Sequence, residues 1–181
     1  MKWGILATGN IAKKFASTIN QMSKENEQLV AVGSRNIESA KAFAKEHDIP
    51  RYYDSYEALV KDQDVEAVYV ATPNTLHYEW AVKAMESGKH VLCEKPLAPC
   101  EKQVKELFET AKENHVYLME AFAYQHSPYI TAIKKEIEDG TIGEVCYIDS
   151  AFITSDYNKE NIRMRRETLG GCTYAVSYTH L

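Results

Sequence analysis

The sequence predicts a doubly wound α/β domain built on a parallel sheet, followed by the start of a second α/β domain with a mixed sheet. Three observations carry this. From Met1 to Ala121, short apolar runs alternate with longer amphipathic stretches, the pattern of βαβ crossovers. The runs are continuously apolar, as strands covered on both faces must be. After Ala121 that alternation stops.

In chain order, Trp3 to Ala7 reads as a buried strand, and Asn10 to Met22 as the helix that returns over it. Leu29 to Gly33 is the second strand. Ile37 to His47 is a helix with Ala40, Phe43 and Ala44 on one face. Arg51 to Tyr53 is a short strand, and Asp54 with Glu57 reads as a helix N-cap. A strand at Ala67 to Val70 precedes a helix from Thr75 to Ser87, which Gly88 ends. His90 to Cys93 is the next strand, Pro99 opens a helix to Asn114, and Val116 to Met119 closes the series. Beyond it, a helix from Pro128 to Asp139 ends at Gly140. Gly143 to Thr154 then reads as a long strand of a second, mixed sheet.

Composition narrows the function classes. The chain has 181 residues, 45% hydrophobic and 26% charged, enough to bury a real core and too apolar for disorder. Its net charge is −5 with a pI near 5.7, and it has no basic stripe, which speaks against a nucleic-acid partner. Arg163, Arg165 and Arg166 read as a solvated face. No apolar run reaches the roughly 18 residues of a membrane helix. The N-terminus lacks a signal-peptide core, so the cytoplasm is the default compartment. Cys93, Cys100, Cys146 and Cys172 have no metal-binding spacing, and Cys93 and Cys146 read as buried small hydrophobes.

Four strand-to-helix turns carry residues suited to chemistry. In Ala7-Thr8-Gly9-Asn10-Ile11-Ala12, Gly9 would let helix-terminal amides approach a pyrophosphate; the plainer reading is a turn that needs one glycine. Gly33-Ser34-Arg35 has no acid where an NAD site places one on the ribose. A hydroxyl and a guanidinium suit a 2′-phosphate instead, which favours NADP over NAD; otherwise Arg35 is a surface residue. Ala71-Thr72-Pro73-Asn74, with His77 one turn on, reads as a nicotinamide-side loop or as a helix cap. Glu94-Lys95-Pro96 ends a strand, where a partly buried lysine can bond a substrate hydroxyl and have its pKa lowered.

In this order and spacing, WGILATGNIA at 3–12, ATPNTLH at 71–77, CEKPLA at 93–98 and MEAFAYQHSPY at 119–129 resemble the Gfo/Idh/MocA family of NAD(P)-dependent oxidoreductases. The dihydrodiol dehydrogenase branch is the most similar, and the resemblance extends to about Gly171. It implies a dinucleotide-binding Rossmann domain at 1–121 and an incomplete substrate domain at 122–181. It also implies hydride transfer between NADP(H), or NAD(H), and a hydroxyl-bearing carbon of a sugar, cyclitol, polyol or diol. By position, Gly9, Asn10 and Ile11 would hold the pyrophosphate, and Ser34 and Arg35 the adenosine ribose. Thr72, Pro73, Asn74 and His77 would line the nicotinamide side, Glu94 would meet the ribose, and Lys95 would be catalytic. Glu120 and His126 would lie near the inter-domain cleft, with His126 and Arg163 as substrate contacts; Asn161 belongs to the same matched stretch. The intact parent would pair as a homodimer.

Two departures qualify this. After Gly170-Gly171 the family continues as Asp-x-Gly-x-His or Asp-x-Gly-x-Tyr, whereas this chain has Ala175, Ser177 and Thr179 at those positions. Tyr178 and His180 are one residue out of register. Residues 176–181 also depart from the family and read as a non-native tail. The chain is therefore expected to bind nucleotide and to be weakly active or inactive alone. The alternative is a nucleotide-binding sensor or regulatory pseudoenzyme.

Overall fold

The computed structural model describes residues 1–22, 26–149, 151 and 161–171. Six strands form one parallel sheet: β1 (Lys2–Leu6), β2 (Gln28–Gly33), β3 (Arg51–Tyr53), β4 (Ala67–Val70), β5 (His90–Glu94) and β6 (Leu118–Ala121). Their order is β3-β2-β1-β4-β5-β6, every neighbouring pair parallel. Strand succession reverses between β1 and β4. In such sheets ligands bind at the carboxyl ends of the strands beside that switch point. The crossover helices are α1 (Asn10–Gln21), α2 (Ile37–Glu46), α3 (Tyr56–Val60), α4 (His77–Glu86) and α5 (Glu101–Glu113), and α6 (Pro128–Glu138) follows β6.

The continuously apolar strands feed two cores, because successive side chains point to opposite faces. Ile5, Val32 and Tyr69 face α1 and α2, packing with Ala12, Ala16 and Phe43. Leu6, Val68 and Val70 face α3, α4 and α5, packing with Leu59, Trp80, Met85 and Leu107. Gly4 lets β1 approach the second core closely. A Cβ there would meet Leu59 Cδ2 at 2.8 Å and Val65 Cγ1 at 3.1 Å. Gly4→Ala should therefore destabilise the fold by about 1–3 kcal/mol, as overpacking does, and lower the urea midpoint.

The structure shifts several expected boundaries and overturns some details. Ser55, not Asp54, caps α3, its side chain accepting from the Ala58 amide at 3.3 Å. The helix expected from Thr75 opens as a 3₁₀ turn at Asn74–Leu76, and α4 proper begins at His77. α5 starts at Glu101 behind Cys100, not at Pro99, and β6 runs two residues later than predicted.

The strand expected over Gly143 to Thr154 is absent in its described part. Residues 143–149 are exposed, with no strand, since no described strand lies beside them to complete a ladder. The remainder of that stretch, apart from Ala151, lies outside the described residues. Cys93 is buried as expected; Cys146 is exposed, in the same unpaired stretch. Among the described residues no helix is long and apolar enough to cross a membrane.

Candidate functional site

The turn from β1 to α1 is built for an anion. Ala7 adopts φ +81°, a left-handed conformation that an L-residue rarely takes and glycine would take freely. Gly9 is the N-cap of α1 in extended geometry, and no side chain caps the helix. The first helical bond is from the Lys13 amide to the Gly9 carbonyl at 3.1 Å. The amides of Asn10, Ile11 and Ala12 precede it and have no acceptor within the helix. A Cβ at Gly9 would meet no protein atom within 4 Å, so the space before these amides is open. Positive potential from twelve aligned peptides adds to the attraction for negative charge.

At the end of β2, Ser34 is nearly buried, its amide donating to the Tyr53 carbonyl at 3.1 Å. Arg35 is exposed and lines a cavity of about 390 Å³ with Ser55, Tyr56, Leu76, Glu79 and Trp80. Burial pushes the Tyr56 phenol up in pKa, with the neighbouring Arg35 charge opposing. Lys83 pairs with Glu79 at 2.6 Å and Glu57 at 3.7 Å, which offsets the two acids on the rim of this cavity.

The loops after β4 and β5 are joined by His77. Its ring is 1% exposed, with Nε2 2.8 Å from the Thr72 carbonyl and Nδ1 2.7 Å from the Pro96 carbonyl. The structure thus buries His77 beneath the loop after β4, with a carbonyl facing each ring nitrogen, and a neutral ring donates to one of the two. Thr72 is buried, and its Oγ1 has no hydrogen-bond partner among the described residues. Asn74 Nδ2 donates to the Leu169 carbonyl at 3.1 Å, tying the 161–171 segment to this loop. Within that segment Gly170 has no room for a side chain: a Cβ would lie 2.5 Å from the Arg165 carbonyl oxygen.

Lys95, half-buried at the carboxyl end of β5, sits among charges. Burial lowers its pKa and the Arg163 guanidinium adds to the fall, while Glu94 and Glu120 oppose it. Glu94 accepts from the Tyr69 hydroxyl at 2.6 Å, and Glu120 accepts from the Leu97 amide at 2.9 Å. The two carboxylates are therefore held on either side of the Lys95-Pro96 turn.

The structure brings Gly9, Asn10, Ile11, Ser34, Arg35, Thr72, Pro73, Asn74, Glu94 and Lys95 to one edge of the sheet, at or just beyond the strand ends. His126 is exposed at the end of a 3₁₀ turn, Ala123–His126. Asn161 caps the turn that presents Arg163, accepting from the Arg163 amide at 3.0 Å. Ala175, Ser177, Thr179 and the tail at 176–181 lie outside the described residues. Sequence reasoning missed Tyr69, whose register opposite Leu92 puts it on the same face as Glu94. Among the described residues no cluster of three His, Cys, Asp or Glu could hold a metal ion.

This arrangement defines a Rossmann domain with its polar turns gathered at one sheet edge, and comparison with known proteins places it in a family. Residues 1–122 match the oxidoreductase family with an NAD-binding Rossmann fold, Gfo/Idh/MocA, and the chain belongs to that family. It is 39% identical over 170 residues to trans-1,2-dihydrobenzene-1,2-diol dehydrogenase of Xenopus laevis, covering 94% of this chain and 51% of that protein. The human enzyme of the same name is 35% identical over 145 residues, 80% of this chain and 43% of that protein. Among solved structures it resembles the Actinomadura kijaniata 3-ketoreductase KijD10, in complex with TDP-benzene and NADP, at TM-score 0.75 and 33% identity. That match covers 80% of this chain and 45% of the ketoreductase. The chain thus spans about half the length of the curated relatives it matches.

Proposed function

We propose that this chain is the nucleotide-binding portion of an NADP-dependent oxidoreductase acting on a hydroxyl-bearing carbon of a sugar, polyol or diol. The observation that carries the reading is Lys95, half-buried between two anchored carboxylates at the same sheet edge as the uncapped N-terminus of α1. The residues fit a dinucleotide. Thr72 Oγ1 is a buried hydroxyl with no hydrogen-bond partner among the described residues, and no side chain caps the first α1 amides. When bound, the nicotinamide supplies the hydride acceptor or donor.

The protein's own residues do the rest. Gly9, Asn10 and Ile11 hold the pyrophosphate, Ser34 and Arg35 a 2′-phosphate, and Thr72 and Asn74 the nicotinamide side. Glu94 takes a ribose hydroxyl. Lys95 orients the substrate hydroxyl, its lowered pKa easing proton movement at Nζ. Residues 122–181 we assign to a substrate domain. Tyr129, Ile133, Ile137, Tyr147 and Ile148 are exposed apolar side chains there, surface suited to burial against further structure. Ala175, Ser177 and Thr179, standing where the family's acid/base segment is expected, support weak or absent turnover by this chain and keep a nucleotide sensor as the second reading.

Titration with NADPH and NADH, followed by nicotinamide fluorescence at fixed ionic strength, tests this. NADPH should bind more tightly. Arg35→Ala should weaken NADPH by roughly tenfold, the worth of one charge-assisted hydrogen bond, and leave NADH unchanged. Equal affinities would remove the preference for NADP. Binding of neither would overturn the nucleotide reading.

A further inference from the structure

We infer that Tyr69 is a positioning residue that aims the Glu94 carboxylate at the nicotinamide ribose; this rests on the dinucleotide reading above. Tyr69 pairs with Leu92 across the β4–β5 ladder. Glu94, two residues beyond Leu92, is on the same face and one step nearer the carboxyl edge, a diagonal that an aromatic side chain can span. The phenol spans it. Its hydroxyl donates to Glu94 Oε1 at 2.6 Å.

The ring that carries this hydroxyl is held in place. Tyr69 is 3% exposed. Phe15 of α1 stacks on it with centroids 4.1 Å apart and planes 22° from parallel. Phe15 is in turn met edge-on by Trp3 of β1 at 5.3 Å and 75°. Three elements therefore fix one phenol orientation, and the phenol fixes one carboxylate oxygen. Burial and the Glu94 charge both keep the hydroxyl protonated, so it serves as a donor.

A carboxylate has two acceptor oxygens, and a ribose offers hydroxyl donors. With one oxygen committed to Tyr69, Glu94 presents the other to the ligand in a set direction. Without the phenol, the carboxylate is drawn toward Lys95, whose charge it already feels. Ordering Glu94 before the ligand arrives spares that cost on binding.

Tyr69→Phe keeps the ring and its stack while deleting the donor. It is to be titrated with NADPH and separately with 2′,5′-ADP, which lacks the nicotinamide ribose. The expected result is an NADPH affinity reduced about threefold to tenfold, the scale of one hydrogen bond, with 2′,5′-ADP unchanged. Glu94→Ala should show the same split, and adding Tyr69→Phe to it should produce no further loss.

Unchanged NADPH binding by Tyr69→Phe would overturn the assignment. So would equal weakening of both ligands, which marks a merely structural role, or additive loss in the double variant. Wild-type protein that binds neither ligand would instead bring down the dinucleotide reading and this inference with it.

Discussion

Gly9→Asp is expected to lower NADPH affinity by at least about a hundredfold while leaving the melting temperature unchanged or slightly higher. Both halves follow from the N-terminus of α1. A Cβ at Gly9 meets no protein atom within 4 Å, and the backbone there is extended, so aspartate is accommodated without strain. Aspartate is also a better N-cap than glycine by a few tenths of a kcal/mol, because its carboxylate accepts from the amides one turn on. Those are the amides assigned to the pyrophosphate. The new carboxylate competes for them and repels the ligand. Two unit charges about 5 Å apart cost about 3 kcal/mol at an effective dielectric of about 20, which is roughly a hundredfold in Kd. Thermal melts and NADPH titration on the same preparation read both effects. A variant that binds NADPH like wild type would remove the pyrophosphate from the α1 terminus.

How much of this was legible depended on how local the cause was. The strands and crossover helices of the first 121 residues show in the apolar runs, since a parallel sheet buries both faces of β1, β2 and β4 and leaves little choice of residue. Caps were less so. Asp54 and Ser55 are both good N-cap residues one position apart, and which one serves depends on the backbone after β3. The strand expected at 143–154 misled for a different reason. Its apolar alternation reports the burial a residue is suited to, whereas a strand exists only beside another strand, and none is described there.

Gly9, Arg35, Thr72 and Lys95 stand out in the sequence as candidates because each sits at a strand-to-helix turn. The turns converge once the sheet order is known. Tyr69 could not, since it reads as one more core residue in AVYV. Only the β4–β5 register reveals that its hydroxyl reaches Glu94. A lone histidine such as His77 is more often a satisfied core or surface residue than a catalytic base, but its partners were equally hidden. Spacing puts it one turn past Asn74, but its carbonyl partners are five and nineteen residues away.

That burial makes the loss of His77 costly to the fold, and it attaches a pH dependence to the cost. In His77→Ala the carbonyls of Thr72 and Pro96 lose the ring between them, and a cavity opens between the loops. The carbonyl that loses its N–H donor costs about 1–3 kcal/mol, and the cavity left by a large-to-small change at a buried site costs about 2–5 kcal/mol. The combined loss should be at least about 3 kcal/mol, a large share of the stability of an ordinary domain.

For the pH dependence, burial holds the imidazole below its ordinary range. The two carbonyls and Glu94 work in the opposite direction, and Lys95 adds to the fall. The unfolded chain then takes up a proton near the usual histidine value of about 6.5, whereas the folded chain does so only at lower pH. The stability contributed by neutral His77 is whole above that value, falls as pH drops through it, and levels off once the folded ring is also protonated. Urea melts between pH 7.5 and 5 should show wild type losing stability over this window by more than His77→Ala does. Parallel pH profiles in the two proteins would mean that the ring titrates alike folded and unfolded. The contacts to Thr72 and Pro96 would then leave its protonation unchanged.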